Sequence, residues 1–304
     1  MGNNITVTKS ARPATFSTFM STDAVKQKVN EMIGSKDGQR FITTIISAVS
    51  TNPNLAKCEH STILSAALQG EALKLSPSNQ LGHYYLVPYD DNKNKRIVAQ
   101  FQMGYKGYIQ LAMRSGQYKD LDVMDIRDGE YKGKDKYTGK PVIEFIEDDD
   151  AREELPIVGY FAYFELLNGF RKSLYWSKAK MEKHAMQYSK GYASDVKKGN
   201  QYTFWSKDFN GMAFKTMLRQ LLSKWAVMSI EMQTAMTTDM AVINDNGYEY
   251  VDNQPEDAMP EQTPEEQYEA VPLENKGAVE EKTETPKEPE PEEPAEQIQQ
   301  TMSF

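Results

Sequence analysis

Two periods alternate along the chain, and they divide it into a helical start, a strand-rich middle and a mixed end. After a polar, Thr/Ser-rich stretch from Met1 to about Met20, Thr22 or Asp23 can cap a helix with Val25, Val29, Met32 and Ile33 on one face. Gly34 to Gly38 breaks it. Phe41, Ile42, Ile45, Ile46 and Val49 form a second apolar helix, stopped at Asn52-Pro53. Ser61 caps a third, which runs through Ile63, Leu64, Ala67, Leu68 and Leu73 to Ser76-Pro77-Ser78. The period then drops to two. His83 to Tyr89 and Arg96 to Met103 read as strands joined by the polar Asp90–Lys95 loop, and Leu121 to Arg127 reads as another. Asp128 to Lys140 is a Gly/Lys-rich loop, Val142 to Ile146 a short strand and Glu147 to Glu154 an acidic loop. Ile157 to Leu166 and Arg171 to Trp176 make a hairpin around Asn168-Gly169, a preferred tight-turn pair. Ser177 caps a helix to about Ser189, ended by Gly191, and Gly191 to Trp205 reads as irregular. A long amphipathic helix opens at Ser206 or Asp208 and runs to about Met228, its core face Phe209, Met212, Ala213, Met217, Leu221 and Trp225. The expected class is α+β: N-terminal helices, then antiparallel hairpins packed with helices.

The stretch from Val98 to Lys119 carries the densest chemistry. Its strand alternates up to Met103 and turns through Gly104-Tyr105-Lys106-Gly107. It continues as a helix with Ile109, Leu111, Ala112 and Met113 inward and Gly116 at its end. The polar residues left over are Gln100, Gln102, Lys106, Gln110, Arg114, Gln117 and Lys119, interleaved with Tyr105, Tyr108 and Tyr118. Cations, amides and flat rings on a Gly-bent scaffold suit a sugar-phosphate backbone and stacked bases. The 206–228 helix adds Lys207, Lys215 and Arg219 on its other face. Lys215 and Arg219 stand one turn apart, about 5.4 Å, and no acid three or four residues away neutralises them.

Charge sharpens this division. Residues 239–304 hold 19 acidic side chains against three lysines, a net of −16, whereas residues 1–238 carry 32 basic and 25 acidic ones, a net of +7. The basic body suits a polyanionic partner, which the overall −9 would hide. From about Asp239 the apolar pattern dissolves among glutamates and prolines. Such a segment cannot bury enough apolar surface to fold, so a disordered tail is expected, ending in Ile298, Met302 and Phe304. The single cysteine, Cys58, excludes an internal disulfide framework, and His60, His83 and His184 lack metal-ligand spacing. No run approaches the roughly 18 apolar residues of a membrane span, and a soluble intracellular protein is expected.

The chemistry of catalysis is thin. No GxxxxGK[ST] phosphate loop indicates ATP use, and no Gly-x-Ser-x-Gly elbow or His/Cys pairing is present. The best acidic candidate is Asp120 and Asp122 with Glu130-Tyr131-Lys132, which matches the pattern of Mg²⁺-dependent nucleases: carboxylates for the metal and a lysine beside the attacking hydroxide. Asp148-Asp149-Asp150 reads as a solvated loop.

The Val98–Lys119 segment resembles the signature of the RecT family of phage single-strand annealing proteins. So do Leu81-Gly82 to Pro88, Val158-Gly159-Tyr160 to Trp176, and Ala213-Phe214-Lys215-Thr216-Met217-Leu218-Arg219 to Trp225, in order from about Phe41 to Thr238. The resemblance implies a Rad52-like annealing fold that binds single-stranded DNA and anneals complementary strands without ATP, cofactor or catalytic site. It also implies assembly into rings or helical filaments in the bacterial cytoplasm, beside a phage exonuclease or a host single-strand-binding protein, with no membrane partner. Carried onto this chain, it assigns Lys106, Arg114, Lys119, Lys215 and Arg219 to phosphates. Gln100, Gln102, Tyr105 and Tyr108 are assigned to backbone hydrogen bonds or stacking, with Arg96, Arg127 and Lys207 in support. The expected organisation is a loose N-terminus over 1–20, a DNA-binding and oligomerisation domain over 21–238 and the acidic tail over 239–304. The alternatives are the nuclease above and a strand-coating adaptor acting through its tail.

Overall fold

The computed structural model describes residues 15–244 and 247–250. The expected tail from residue 251 onward and the first fourteen residues lie outside them.

The chain opens with α1 (Phe16–Met20), α2 (Asp23–Ile33), α3 (Ser35–Ser50) and α4 (His60–Ala72). Phe16 and Met20 are buried, so the end of the segment expected to be loose is folded instead. The break between the second and third helices shrinks to Gly34, which sits at a φ of +82° that other residues adopt only with strain. Val25, Val29, Phe41, Ile42, Ile45 and Val49 close a small core with one side of α4, through Ile63, Leu64, Ala67 and Leu68. Ala66 of α4 and Leu73 at its C-terminal cap face the larger core instead, so this helix joins the two.

Next come β1 (Tyr84–Asp91) and β2 (Arg96–Met103), a hairpin in the register Tyr84↔Met103. The sequence continues through α5 (Tyr105–Arg114), β3 (Tyr118–Arg127), β4 (Tyr131–Lys134), β5 (Pro141–Ile143), α6 (Asp149–Glu153), β6 (Ile157–Leu166) and β7 (Arg171–Ser177). Then follow α7 (Lys178–Tyr188), α8 (Lys190–Lys198), α9 (Phe204–Lys207), α10 (Phe209–Trp225), α11 (Ile230–Thr238), β8 (Ala241–Asn244) and β9 (Gly247–Glu249). One antiparallel sheet has the order β1-β2-β8-β9, a second β3-β6-β7, and β4 and β5 form a separate hairpin. The class is therefore α+β with antiparallel sheets, as the alternation implied. Helix α10 lies across the second sheet and against α5, burying Ala213, Met217, Leu218, Leu221 and Leu222.

Several local expectations give way to tertiary structure. Met113 is exposed, and Tyr108 takes its place on the inner face of α5. The stretch expected to be irregular after Gly191 holds α8 and α9, tied by Asp195, whose carboxylate accepts from Thr203 and Ser206 and from the Tyr202 and Thr203 amides. Helix α10 stops at Trp225, half exposed, with Lys172 Nζ 3.8 Å over its ring. The body also passes the boundary expected at residue 238. Asp239 is buried, and β8 pairs with β2 through Gln100↔Val242 and Phe101↔Ala241. Residues that look like the start of a tail thus complete the first sheet.

Candidate nucleic-acid interface

Asp239 is the partner that local spacing could not reveal. Its Oδ1 accepts from the Met103 amide at 2.9 Å and Lys215 Nζ at 2.8 Å. Its Oδ2 accepts from the Tyr108 hydroxyl at 3.0 Å and Arg219 Nη1 at 2.6 Å. These four bonds fill the acceptor capacity of a carboxylate. Arg219 also donates to the Tyr108 oxygen at 3.0 Å. Burial would raise the Asp239 carboxyl, but the charges of Lys215 and Arg219 hold it below the usual range. Burial also lowers the Lys215 ammonium, against the pull of Asp239, and raises Tyr108, which stays a protonated donor. The expected cationic outer face of α10 is therefore overturned. Lys215 is 4% exposed, and together with Arg219 and Tyr108 it locks the end of β2, α5 and α10 onto Asp239, the residue that caps α11. Gln100 is buried too, between its β1 and β8 neighbours.

A second group of candidates is engaged at the surface. Arg96 reaches Asp91 at 2.8 Å and Glu59 and Glu249 at 3.5 Å, and it draws the Asp91 carboxyl down to about 2. Arg127 pairs with Asp125 at 2.6 Å and donates to the Leu155 carbonyl. Lys119 pairs with Glu165 at 2.8 Å. Arg114 donates to the Leu73 and Lys74 carbonyls at the end of α4, where a cation is favoured by the helix dipole.

The remaining candidates, Lys106, Tyr105, Gln102 and Lys207, are exposed or partly so. Lys106 stands in the first turn of α5, with no acidic partner among the described residues, and its ammonium is 5.9 Å from the Tyr105 ring centre. Gly104 precedes that turn without a side-chain cap, leaving first-turn amides toward an anion. The position is fixed by backbone contact: a Cβ on Gly104 would lie 2.0 Å from the Gly82 carbonyl oxygen, and one on Gly107 2.1 Å from that of His83. The two glycines thus press α5 onto the 82–83 segment of its own chain.

This segment brings in residues that the sequence reading passed over. The Tyr85 hydroxyl and the Lys106 stem both lie beside Gly82. Tyr85 packs on Phe204 at 5.6 Å between ring centres, and Tyr105 meets Phe214 edge-on at 5.5 Å. His83 is held below the usual histidine range by burial and by the charges of Arg114 and Lys106. The result is a cationic, aromatic surface made by residues 82–85, the first turn of α5 and α9. Asp208 is the acid that Tyr85 senses there, and its carboxylate caps α10 by accepting from the Gly211 amide. Tyr85 lies in the Leu81–Pro88 motif, so the signal was in the sequence.

The nuclease constellation does not assemble. Glu130 is buried and saturated by the Arg127 and Ile146 amides and by Arg152 at 2.6 Å, while Lys132 faces Glu144 at 3.6 Å. Asp120 and Asp122 are exposed on β3. Among the described residues no group of three His, Cys, Asp or Glu side chains can hold a metal ion, and no helix is long and apolar enough to cross a membrane.

The RecT family model matches residues 39–257. The chain belongs to the RecT family. It is 39% identical over 223 residues to the uncharacterised protein YqaK of Bacillus subtilis (strain 168), covering 73% of this chain and 71% of that one. It is 29% identical over 209 residues to protein RecT of Escherichia coli (strain K12), covering 66% and 71% respectively. RecT-family membership gives the class of function, annealing of single-stranded DNA in recombination rather than catalysis. The matched region contains both the Lys106 surface and the Asp239 lock, and it passes residue 238 just as the fold does.

Proposed function

We propose that this RecT-family chain grips single-stranded DNA on the surface around Lys106 and pairs complementary strands without nucleotide hydrolysis. The observation that carries the reading is Lys106 itself, without an acidic partner among the described residues, at an uncapped helix start beside Tyr85, Tyr105 and Phe204. Lysine and first-turn amides hold a phosphate, and exposed ring area accepts a base of any identity. Such a grip is sequence-tolerant and salt-sensitive, so Watson–Crick pairing supplies the specificity. The absence of a phosphate-binding loop from the sequence supports independence from ATP. Copies side by side on one strand would turn weak contacts into avidity. Assembly into a ring or filament in the bacterial cytoplasm, beside an exonuclease or a host single-strand-binding protein, belongs to the same reading and is supported by family membership.

The test mixes labelled complementary oligonucleotides with the protein in EDTA and without nucleotide. Duplex formation faster than that of the strands alone is expected. Pairing that is unaccelerated, or slowed by coating, overturns the reading.

A further inference from the structure

The hairpin formed by β4 and β5 is built unlike the rest of the surface. Its ten residues from Tyr131 to Lys140 include Lys132, Lys134, Lys136 and Lys140 against one acid, Asp135. That acid is turned into the hairpin's own tip. Asp135 Oδ1 accepts from the Thr138 hydroxyl and amide, each at 2.7 Å, and from the Tyr137 amide at 3.1 Å. These bonds, the Thr138 hydroxyl first, hold its carboxyl below the usual range. The tip is closed again by the Asp135 amide donating to the Lys140 carbonyl at 2.8 Å.

The base is equally fixed. Tyr131 stacks on Tyr175 of β7 with ring centres 4.0 Å apart and planes 12° from parallel. Buried Glu130, with Arg152, pins the residue before it, and the Glu144 amide donates to the Glu130 carbonyl at 3.0 Å. What points outward is the lysines, Thr138 and Tyr137, the last 98% exposed at the tip. A stapled turn that holds an aromatic ring wholly in water gains nothing from it in the isolated chain. Because both ends are already fixed, little ordering entropy is lost when the hairpin meets a ligand.

We infer that the 131–143 hairpin is a second grip on single-stranded DNA, with Lys134, Lys136 and Lys140 on phosphates and Tyr137 stacked on a base. Lys132 is left out because Glu144 faces it. The inference rests on the reading of the chain as a single-strand binder, but not on the Lys106 surface.

The test measures affinity of the full chain for a labelled oligonucleotide across a salt series, by fluorescence anisotropy. The variants are Lys134→Ala/Lys136→Ala/Lys140→Ala, Tyr137→Ala, Tyr137→Phe and, separately, Lys106→Ala. Loss of three phosphate contacts flattens the slope of log K against log salt by about 2. Tyr137→Ala weakens binding roughly 5- to 140-fold, whereas Tyr137→Phe keeps the stacking face and the affinity. Circular dichroism melts match the parent, because all five altered side chains are exposed. An unchanged slope in the triple variant, with Lys106→Ala still weakened, overturns the hairpin and leaves the single-strand reading standing. If the parent chain itself does not bind the oligonucleotide, that reading fails first. An unchanged slope alongside loss of binding to an acidic protein would assign the hairpin to a protein partner and overturn the inference as well.

Discussion

Replacing Asp239 by alanine removes a carboxylate that four donors share and leaves Lys215 and Arg219 facing each other without it. Lys215 is held in the interior by α10 and cannot swing into water without moving the helix, while Arg219 is partly buried beside it. Breaking a buried pair by deleting one partner costs about 3–5 kcal/mol, a large part of a total stability of about 5–15 kcal/mol. For a body of this size each kcal/mol shifts the melting temperature by about 2–4 °C, so Asp239→Ala should melt roughly 6–20 °C lower. Thermal and urea unfolding of the parent, Asp239→Ala, Lys215→Met and the double variant complete a cycle. The double variant should recover part of the loss, because it no longer buries the Lys215 charge unpaired. A chain ending at Thr238 should be destabilised at least as much, since it loses β8 too. The pH dependence has a definite sign. A carboxyl held below its unfolded value contributes stability that is complete above about pH 4 and is lost as pH falls through the folded value. Asp239→Asn should therefore flatten the acid side of the stability profile. A melting shift under about 2 °C for Asp239→Ala, or strictly additive single changes, would refute the lock.

Gly104→Ala or Gly107→Ala drives a Cβ into a backbone oxygen at 2.0 or 2.1 Å, so each should cost about 1–3 kcal/mol or more and weaken DNA binding through displacement of Lys106; urea melts and anisotropy check both. His83 is held below the usual histidine range by burial and by Arg114 and Lys106, and a bound phosphate would raise it. Affinity for single strands should therefore tighten as pH falls from about 7 to about 5, and His83→Gln should abolish that gain in a pH series. Glu130→Gln should lower the melting temperature by unpairing Arg152, while oligonucleotides incubated with Mg²⁺ stay full length with parent and variant alike. Shortened strands that become full length in the variant would restore the nuclease.

The fold was legible wherever a pattern is local. The alternation of Val98 to Met103, the Asn168-Gly169 turn and the Ser177 cap all depend on neighbours a few residues away, and each stands where it was expected. What escaped was long-range. Lys215 meets Asp239 across 24 residues and Tyr108 meets it across 131, so the absence of an acid at i±3 or i±4 said nothing of the pair. Helix α10 is buried on more than one side, with Thr216 and Gln220 inside as well, so its polar positions were mistaken for an outer face. In the candidate site, Lys106 and Tyr105 were readable as residue types on a Gly-bent scaffold. Tyr85 stood in the Leu81–Pro88 motif, but its pairing with Phe204 was not readable, because the two meet only when residues 82–85 and α9 converge. Glu130 and Lys132 had nuclease spacing, yet one anchors the base of a hairpin and the other stands on its first strand facing Glu144.

The central claim is that single-stranded DNA lies on the Lys106 surface, and the most direct measurement is the salt dependence of oligonucleotide affinity for the parent and Lys106→Ala. Removing one phosphate contact should weaken binding and reduce the slope of log K against log salt by about 0.7, with the melting temperature unchanged because Lys106 is exposed. An identical slope and affinity in the variant would place the DNA elsewhere and contradict the account.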